Sequence, residues 1–318
     1  MSISLAALPE NMDAETQRRL ESLAARLRDR RHATRQSQSR PAGYGMHGFP
    51  NRHALTRIID SLGAVLFPIR LGPAELTPAS EDEFVRASLE SALPLLAAQV
   101  RMELAYCDGC IPEGECPDSA SDRIVWTLAD RLPEIRRLLD TDVEAAFTGD
   151  PAARSVDEVL LCYPCVTAMI HHRVAHELYL LGAPLVARII AEAGHSRTGI
   201  DIHPGARIGE SFFIDHGTGV VIGQTAIIGD RVRIYQAVTL GARSFRTDDE
   251  GNLVNEPRHP VIEDDVTIYA GATVLGRIII GKGSVIGGNV WLTRSIPAGS
   301  SVRQTNPSVA IECADPCD

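Results

Sequence analysis

Three short runs in the second half of the chain carry residue types that can move protons. They are Asp201-Ile202-His203-Pro204, Asp215-His216-Gly217-Thr218-Gly219 and Arg258-His259-Pro260. A carboxylate that accepts a hydrogen bond from an imidazole fixes its tautomer and raises its basicity, which a general base requires. On residue types alone, His216 is either such a base, with Asp201 as its carboxylate, or a histidine satisfied by its surroundings.

Two other groupings could bind a metal. Cys107, Cys110 and Cys116 form C-x2-C-x5-C, Cys162 and Cys165 form a second C-x2-C, and Cys313 and Cys317 complete the seven cysteines. Paired thiolates at this spacing can chelate zinc. The second pair falls in a helix-like stretch about 50 residues from the first, so unrelated reduced thiols are the preferred reading. His171, His172 and His176 place His172 and His176 on one helical face, but the HExxH spacing is absent and a packed or exposed helix face is preferred. No metal is expected.

The elements that must position these residues differ along the chain. With 318 residues, 44% hydrophobic and 23% charged, the chain suits an ordinary soluble protein of more than one domain. Its net charge of −10 disfavours a nucleic-acid surface, which needs a basic face. No apolar run approaches the ~20 residues that cross a bilayer. The amino terminus lacks a basic leader pattern, so a cytoplasmic, membrane-free protein is expected. A helix is predicted over Ala14 to Arg35, then a flexible Gly/Ser/Pro-rich connector over Gln36 to Pro50. Ser80-Glu81-Asp82-Glu83 reads as a capping box, followed by an apolar stripe from Val85 to Leu104. A second stripe runs from Ile124 to Leu139, and a third helical segment is predicted over Val159 to Leu181.

Near Gly199 the period changes to six. Every sixth residue from Ile202 to Val238 is aliphatic, and so is every sixth from Ile262 to Leu292, thirteen positions in all. Such hexads build a triangular β-coil in which three short strands close one turn and the aliphatic residue points inward. The interruption from Ser244 to Val261 is eighteen residues, three hexads, so phase is kept across a projecting loop. Eighteen residues per turn would stack Asp201 under Gly219, close to His216. The expected architecture is α+β: residues 1–50 a helix and linker, 51–198 a helical domain, 199–297 a parallel β-helix, 298–318 a tail.

The stretch from Asp201 to Gly241, followed by Arg258-His259-Pro260, closely resembles the serine acetyltransferases, left-handed β-helix enzymes of the hexapeptide-repeat acyltransferase superfamily. The likeness covers about Asp150 to Pro297, with a helical domain in front as in that family. It implies transfer of acetyl from acetyl-CoA to the hydroxyl of L-serine, in cysteine biosynthesis, with acetyl-CoA as cosubstrate and no cofactor. It implies His216 as base and Asp201 as its partner, Asp150 and Asp215 around the serine ammonium, Arg258 on the serine carboxylate and His259 in the same pocket. Acetyl-CoA would lie along the coils near Gly241, Ala270 and Gly288, with Lys282, the chain's single lysine, on a phosphate. The sequence departs from the family in Gln224, where glutamate is usual, in Ala242, where a second glycine is usual, and in a longer loop. Its final residue, Asp318, differs from the terminal isoleucine captured by O-acetylserine sulfhydrylase, so a stable complex with that partner is not expected. Self-association as a trimer or hexamer is expected. Two rivals are a hexapeptide acyltransferase for another acceptor, such as a sugar, and a non-catalytic β-helix scaffold. The γ-type carbonic anhydrases share the coil, but His203, His216 and His259 lack their zinc spacing.

Overall fold

The computed structural model describes residues 13–38, 48–105 and 115–305. Contacts divide the chain into two units, Met1–Gly48 and Phe49–Asp318. In the first, α1 (Ala14–Ser37) starts at Asp13, whose carboxylate accepts the Thr16 amide at 2.8 Å, and buries no residue. Much of the predicted connector, the first two cysteines and the tail with Cys313, Cys317 and Asp318 fall outside the described residues.

The second unit opens with α2 (Arg52–Leu66), α3 (Pro68–Leu71), α4 (Glu81–Leu104), α5 (Pro117–Gly149), α6 (Val156–Cys162), α7 (Pro164–Leu180) and α8 (Pro184–Thr198). The second stripe is one face of α5: Ile124, Leu128, Leu132, Ile135 and Leu139 are all buried. Two local expectations fail. Ser80 does not cap α4; its hydroxyl instead donates to the Thr77 carbonyl at 3.2 Å, a local turn competing with the capping box. The predicted Val159–Leu181 segment is two helices, because Pro164 lacks an amide hydrogen and constrains Tyr163 to extended backbone. The helices meet the coil through a buried bidentate pair, Arg173 to Asp142 at 2.7 and 2.8 Å. Arg173 also donates to the Gly209 carbonyl, while Asp142 accepts the Phe212 amide. Such a pair positions more than it stabilises. No helix among the described residues is long and apolar enough to cross a membrane.

Among the described residues fourteen short strands follow: β1 (Asp201–Ile202), β2 (Arg207–Ile208), β3 (Phe213–Asp215), β4 (Val221–Ile222), β5 (Ile227–Ile228), β6 (Arg233–Tyr235), β7 (Thr239–Gly241), β8 (Val261–Ile262), β9 (Thr267–Ile268), β10 (Thr273–Leu275), β11 (Ile279–Ile280), β12 (Val285–Ile286), β13 (Trp291–Leu292) and β14 (Ser301–Val302). They form three all-parallel sheets, ordered β1-β4-β7-β10-β13, β2-β5-β8-β11 and β3-β6-β9-β12-β14. This is the left-handed β-helix of hexapeptide repeats, with one loop projecting between β7 and β8. Its last strand, β14, lies past residue 297.

The register corrects the expected stacking. Asp201 pairs with Val221, twenty residues on, not with Gly219. Later turns such as Val221 to Thr239 take eighteen, and the loop turn, Arg233 to Thr267, takes thirty-four. Two extra residues in the first turn and sixteen in the loop together make three hexads. Each side of the coil has two inward positions, one just before and one within the strand; Val220 and Ile222, for example, are both aliphatic and buried. A six-residue count therefore slips from one inward set to the other after Ile214 without meeting a polar residue. The loop restores the first set.

Candidate active site

The two extra residues are His216 and Gly217. Asp215 still pairs with Tyr235, and the Ala237 amide already donates to the Thr218 carbonyl, so only His216 and Gly217 lack counterparts in the next coil. Both have left-handed backbone, φ 58° and 88°. Gly217 is required twice over, since a Cβ there would meet Ile200 Cδ1 at 2.5 Å. The result is a bulge at the vertex between the third and first sheets that holds the His216 side chain out at 73% exposure.

Carboxylates gather around it. Asp215 Oδ1 is 3.8 Å from His216 Nε2, too long for a hydrogen bond but close enough to stabilise an imidazolium. Asp215 Oδ2 accepts from Arg233 Nη2 at 2.6 Å, and Arg233 Nη1 donates to the Gly149 carbonyl at 2.7 Å. Next to Gly149, Asp150 caps the C-terminal end of α5. It accepts the Tyr163 hydroxyl at 2.5 Å and the Ala152 amide at 2.8 Å. The Tyr163 hydroxyl, then the Ala152 amide, hold the Asp150 carboxyl below its ordinary value, and the same bond pushes Tyr163 up to about 12. Asp150, Asp215 and His216 thus share one vertex. Arg233 and Tyr163 went unread in the sequence. Arg233 is an ordinary outward hexad position, and only its opposite charge to Asp215 one coil away could have signalled it.

Asp201 starts the strand that leaves this same vertex, but no hydrogen bond or ion pair joins it to His216, because the bulge displaces it by two residues. Arg258 and His259 are not in this cleft of the chain. They lie at the vertex between the first and second sheets, where the loop returns. Arg258 Nη2 donates to Gln224 Oε1 at 2.7 Å, and Gln224 Nε2 donates to the Tyr179 hydroxyl at 2.9 Å. His259 is buried on Gly223, and the Thr225 amide donates to its Nδ1 at 3.1 Å. Burial first, then the Arg258 and Arg277 charges, push the His259 imidazole down from 6.5 to about 4.

The residues expected along acetyl-CoA also divide. Ala270 and Gly288 stack at the His216 vertex, where the Asn289 amide donates to the Ala270 carbonyl at 2.9 Å. Gly241 ends β7 beside the loop vertex. Lys282 is on the third vertex, its Nζ 3.4 and 3.5 Å from Asp264 and Asp265 carboxylates, so it does not join Ala270 and Gly288 in one chain. Among the described residues no three metal-ligating side chains cluster. Cys116 and Cys162 are exposed free thiols, and buried Cys165 is pushed up to about 12 by desolvation. His176 Nδ1 sits 2.7 Å from the Pro204 carbonyl, a packing role.

Known proteins share this architecture. The family described as bacterial transferase hexapeptide (six repeats) matches residues 259–294. A plasmid serine acetyltransferase of Synechococcus elongatus is 57% identical over 260 residues, 80% of this chain and 82% of that relative. Among solved structures, serine acetyltransferase isoform 3 of Entamoeba histolytica in complex with cysteine is similar at TM-score 0.69 and 36% identity, over 81% of this chain and 84% of its own. Serine acetyltransferase 1 of the same organism in complex with L-cysteine gives TM-score 0.68 and 39% identity, over 78% and 86%. With more than half its residues shared along four-fifths of its length, and the same helices-then-coil order, this chain belongs to the serine acetyltransferases.

Proposed function

We infer that the chain transfers acetyl from acetyl-CoA to the hydroxyl of L-serine, giving O-acetyl-L-serine and CoA for cysteine biosynthesis. The observation that carries this reading is the bulge: an exposed imidazole held on strained backbone beside two carboxylates, where the coil itself needs neither the insertion nor the charges. A serine hydroxyl is a weak nucleophile at neutral pH, whereas the thioester is already activated, so the protein's task is to supply a base. His216 Nε2 takes the hydroxyl proton as serine oxygen attacks the thioester carbonyl. The tetrahedral adduct collapses with cleavage of the carbon–sulfur bond, and the imidazolium returns the proton to the CoA thiolate. Asp201, at the same vertex, is assigned to orient the imidazole through its other nitrogen. Asp150 and Asp215 make this end of the cleft negative, which suits an ammonium group.

The serine carboxylate needs a cation, and we assign Arg258 to it. Because Arg258 and His259 occupy a different vertex from His216, a second copy must bring its loop vertex against the first copy's His216 vertex. Self-association follows, with three copies as the arrangement that closes on itself. Outward-facing Val221, Ile279 and Trp291, at 38, 48 and 70% exposure, supply apolar surface for it. Ala270 and Gly288 would then line the acetyl-CoA path between copies, with Gly241 contributed across the contact, while Lys282 stays on the vertex that takes no part in it. We place the enzyme in the cytoplasm, where acetyl-CoA is made and the free thiols stay reduced. Release of CoA thiol, measured with serine, threonine, homoserine and a sugar, tests the reading. Serine should be preferred, and turnover of the sugar alone would replace it.

A further inference from the structure

Arg233 is a charged group of this vertex to which neither the motifs nor the comparisons give a role. Its guanidinium carbon lies 4.9 Å from the Phe213 ring centroid and 4.8 Å from that of Tyr235, and its side chain is 28% exposed. It binds Asp215 at one end and the Gly149 carbonyl at the other. Gly149 suits this contact, because a Cβ there would meet the Phe213 ring at 3.0 Å. A charge-assisted bond sheltered by two rings fixes geometry better than an exposed pair does.

The two carboxylates are therefore unlike. Asp215, 14% exposed, already has a cation on Oδ2 and turns Oδ1 toward His216. Asp150 has only neutral donors, the Tyr163 hydroxyl and the Ala152 amide. An incoming ammonium gains more from the uncompensated carboxylate.

We propose that Arg233 is a positioning residue that reserves Asp215 for the His216 imidazole, leaves Asp150 to bind the substrate ammonium, and pins the bulge to the end of α5. This deepens the serine acetyltransferase reading and rests on it. The titratable and charged groups around the imidazole are Asp201 at the start of β1, Asp215 on β3, Arg233 and Tyr235 on β6, Asp150 at the end of α5, and Tyr163 between α6 and α7. Loss of the Arg233 charge leaves Asp215 uncompensated beside His216, which favours the protonated ring, so the free base is reached only at higher pH.

Steady-state kinetics with serine and acetyl-CoA test this in Asp150→Asn, Asp215→Asn, Arg233→Met and Arg233→Lys, each checked for folding by circular dichroism. Asp150→Asn should raise the serine KM about tenfold or more with kcat changed only a few-fold. Asp215→Asn should do the reverse, lowering kcat about tenfold or more with little change in KM. Arg233→Met should move the acid limb of kcat/KM upward by about 0.5–1 pH unit, and Arg233→Lys should restore most of it. Wild-type protein that releases no CoA with serine removes the underlying reading. Active wild type in which Asp215→Asn carries the KM defect, or in which Arg233→Met leaves the profile unmoved, overturns the proposal alone. If Arg233→Met does not fold, the Asp150 and Asp215 split decides it.

Discussion

His216 owes its position to backbone that most residues avoid. A non-glycine side chain in left-handed conformation costs of order 1–3 kcal/mol, and here it lifts the imidazole clear of the coil. Replacing His216 with Ala should cut kcat about 10²–10⁴-fold and leave the melting temperature within a few degrees; unchanged turnover would remove it as the base. Other histidines serve the fold. His203 is pushed from 6.5 to about 4, by burial first and then by the Arg188 charge, and His259 to about 4 by burial and Arg258. His171 and His172 are lowered by burial as well. Folded-state values below the unfolded 6.5 mean that stability is complete above about pH 6.5 and is lost as pH falls toward 4. The urea midpoint should therefore drop between pH 7 and pH 5, and a flat profile would contradict these burials.

At the scale of elements, the bulge, the loop and a last turn shortened to sixteen residues (Val285 to Ser301) are the departures from an otherwise regular coil. Deleting His216 and Gly217 together closes the first turn at eighteen residues. That variant should keep or raise its melting temperature and lose acetyl transfer, as calorimetry and CoA release would show. A collapse of the fold would mean that the insertion is structural. The inward ladder was legible because hexad periodicity depends only on which residues are aliphatic. The bulge was illegible for the same reason, since Val220 and Ile222 satisfy the pattern equally. In the helices, the α5 stripe was readable from its spacing. Ser80 was misread because a nearby turn claimed its hydroxyl, and the α6–α7 break because Pro164 was not weighed against the apolar run. The motif residues at the His216 vertex could be named from types and spacing. Arg233 and Tyr163 could not, because they come from strands and helix ends that only folding brings near.

For the molecule as a whole, the separation of His216 from Arg258 makes assembly part of the chemistry. Arg258→Leu should chiefly raise the serine KM, by about tenfold or more. Co-expression of Arg258→Leu with His216→Ala chains should return about a quarter of wild-type turnover, since mixed assemblies pair an intact base with an intact arginine at that frequency. Mixtures no more active than either variant would place both residues in one chain's cleft. Lys282 adds a practical corollary. As the single lysine in the chain, held by Asp264 and Asp265 on the vertex away from the base, it is the one side-chain amine that a succinimidyl dye can reach. Labelling aimed at it gives a fluorescent handle on each subunit whose colour can report association, while the base itself stays untouched.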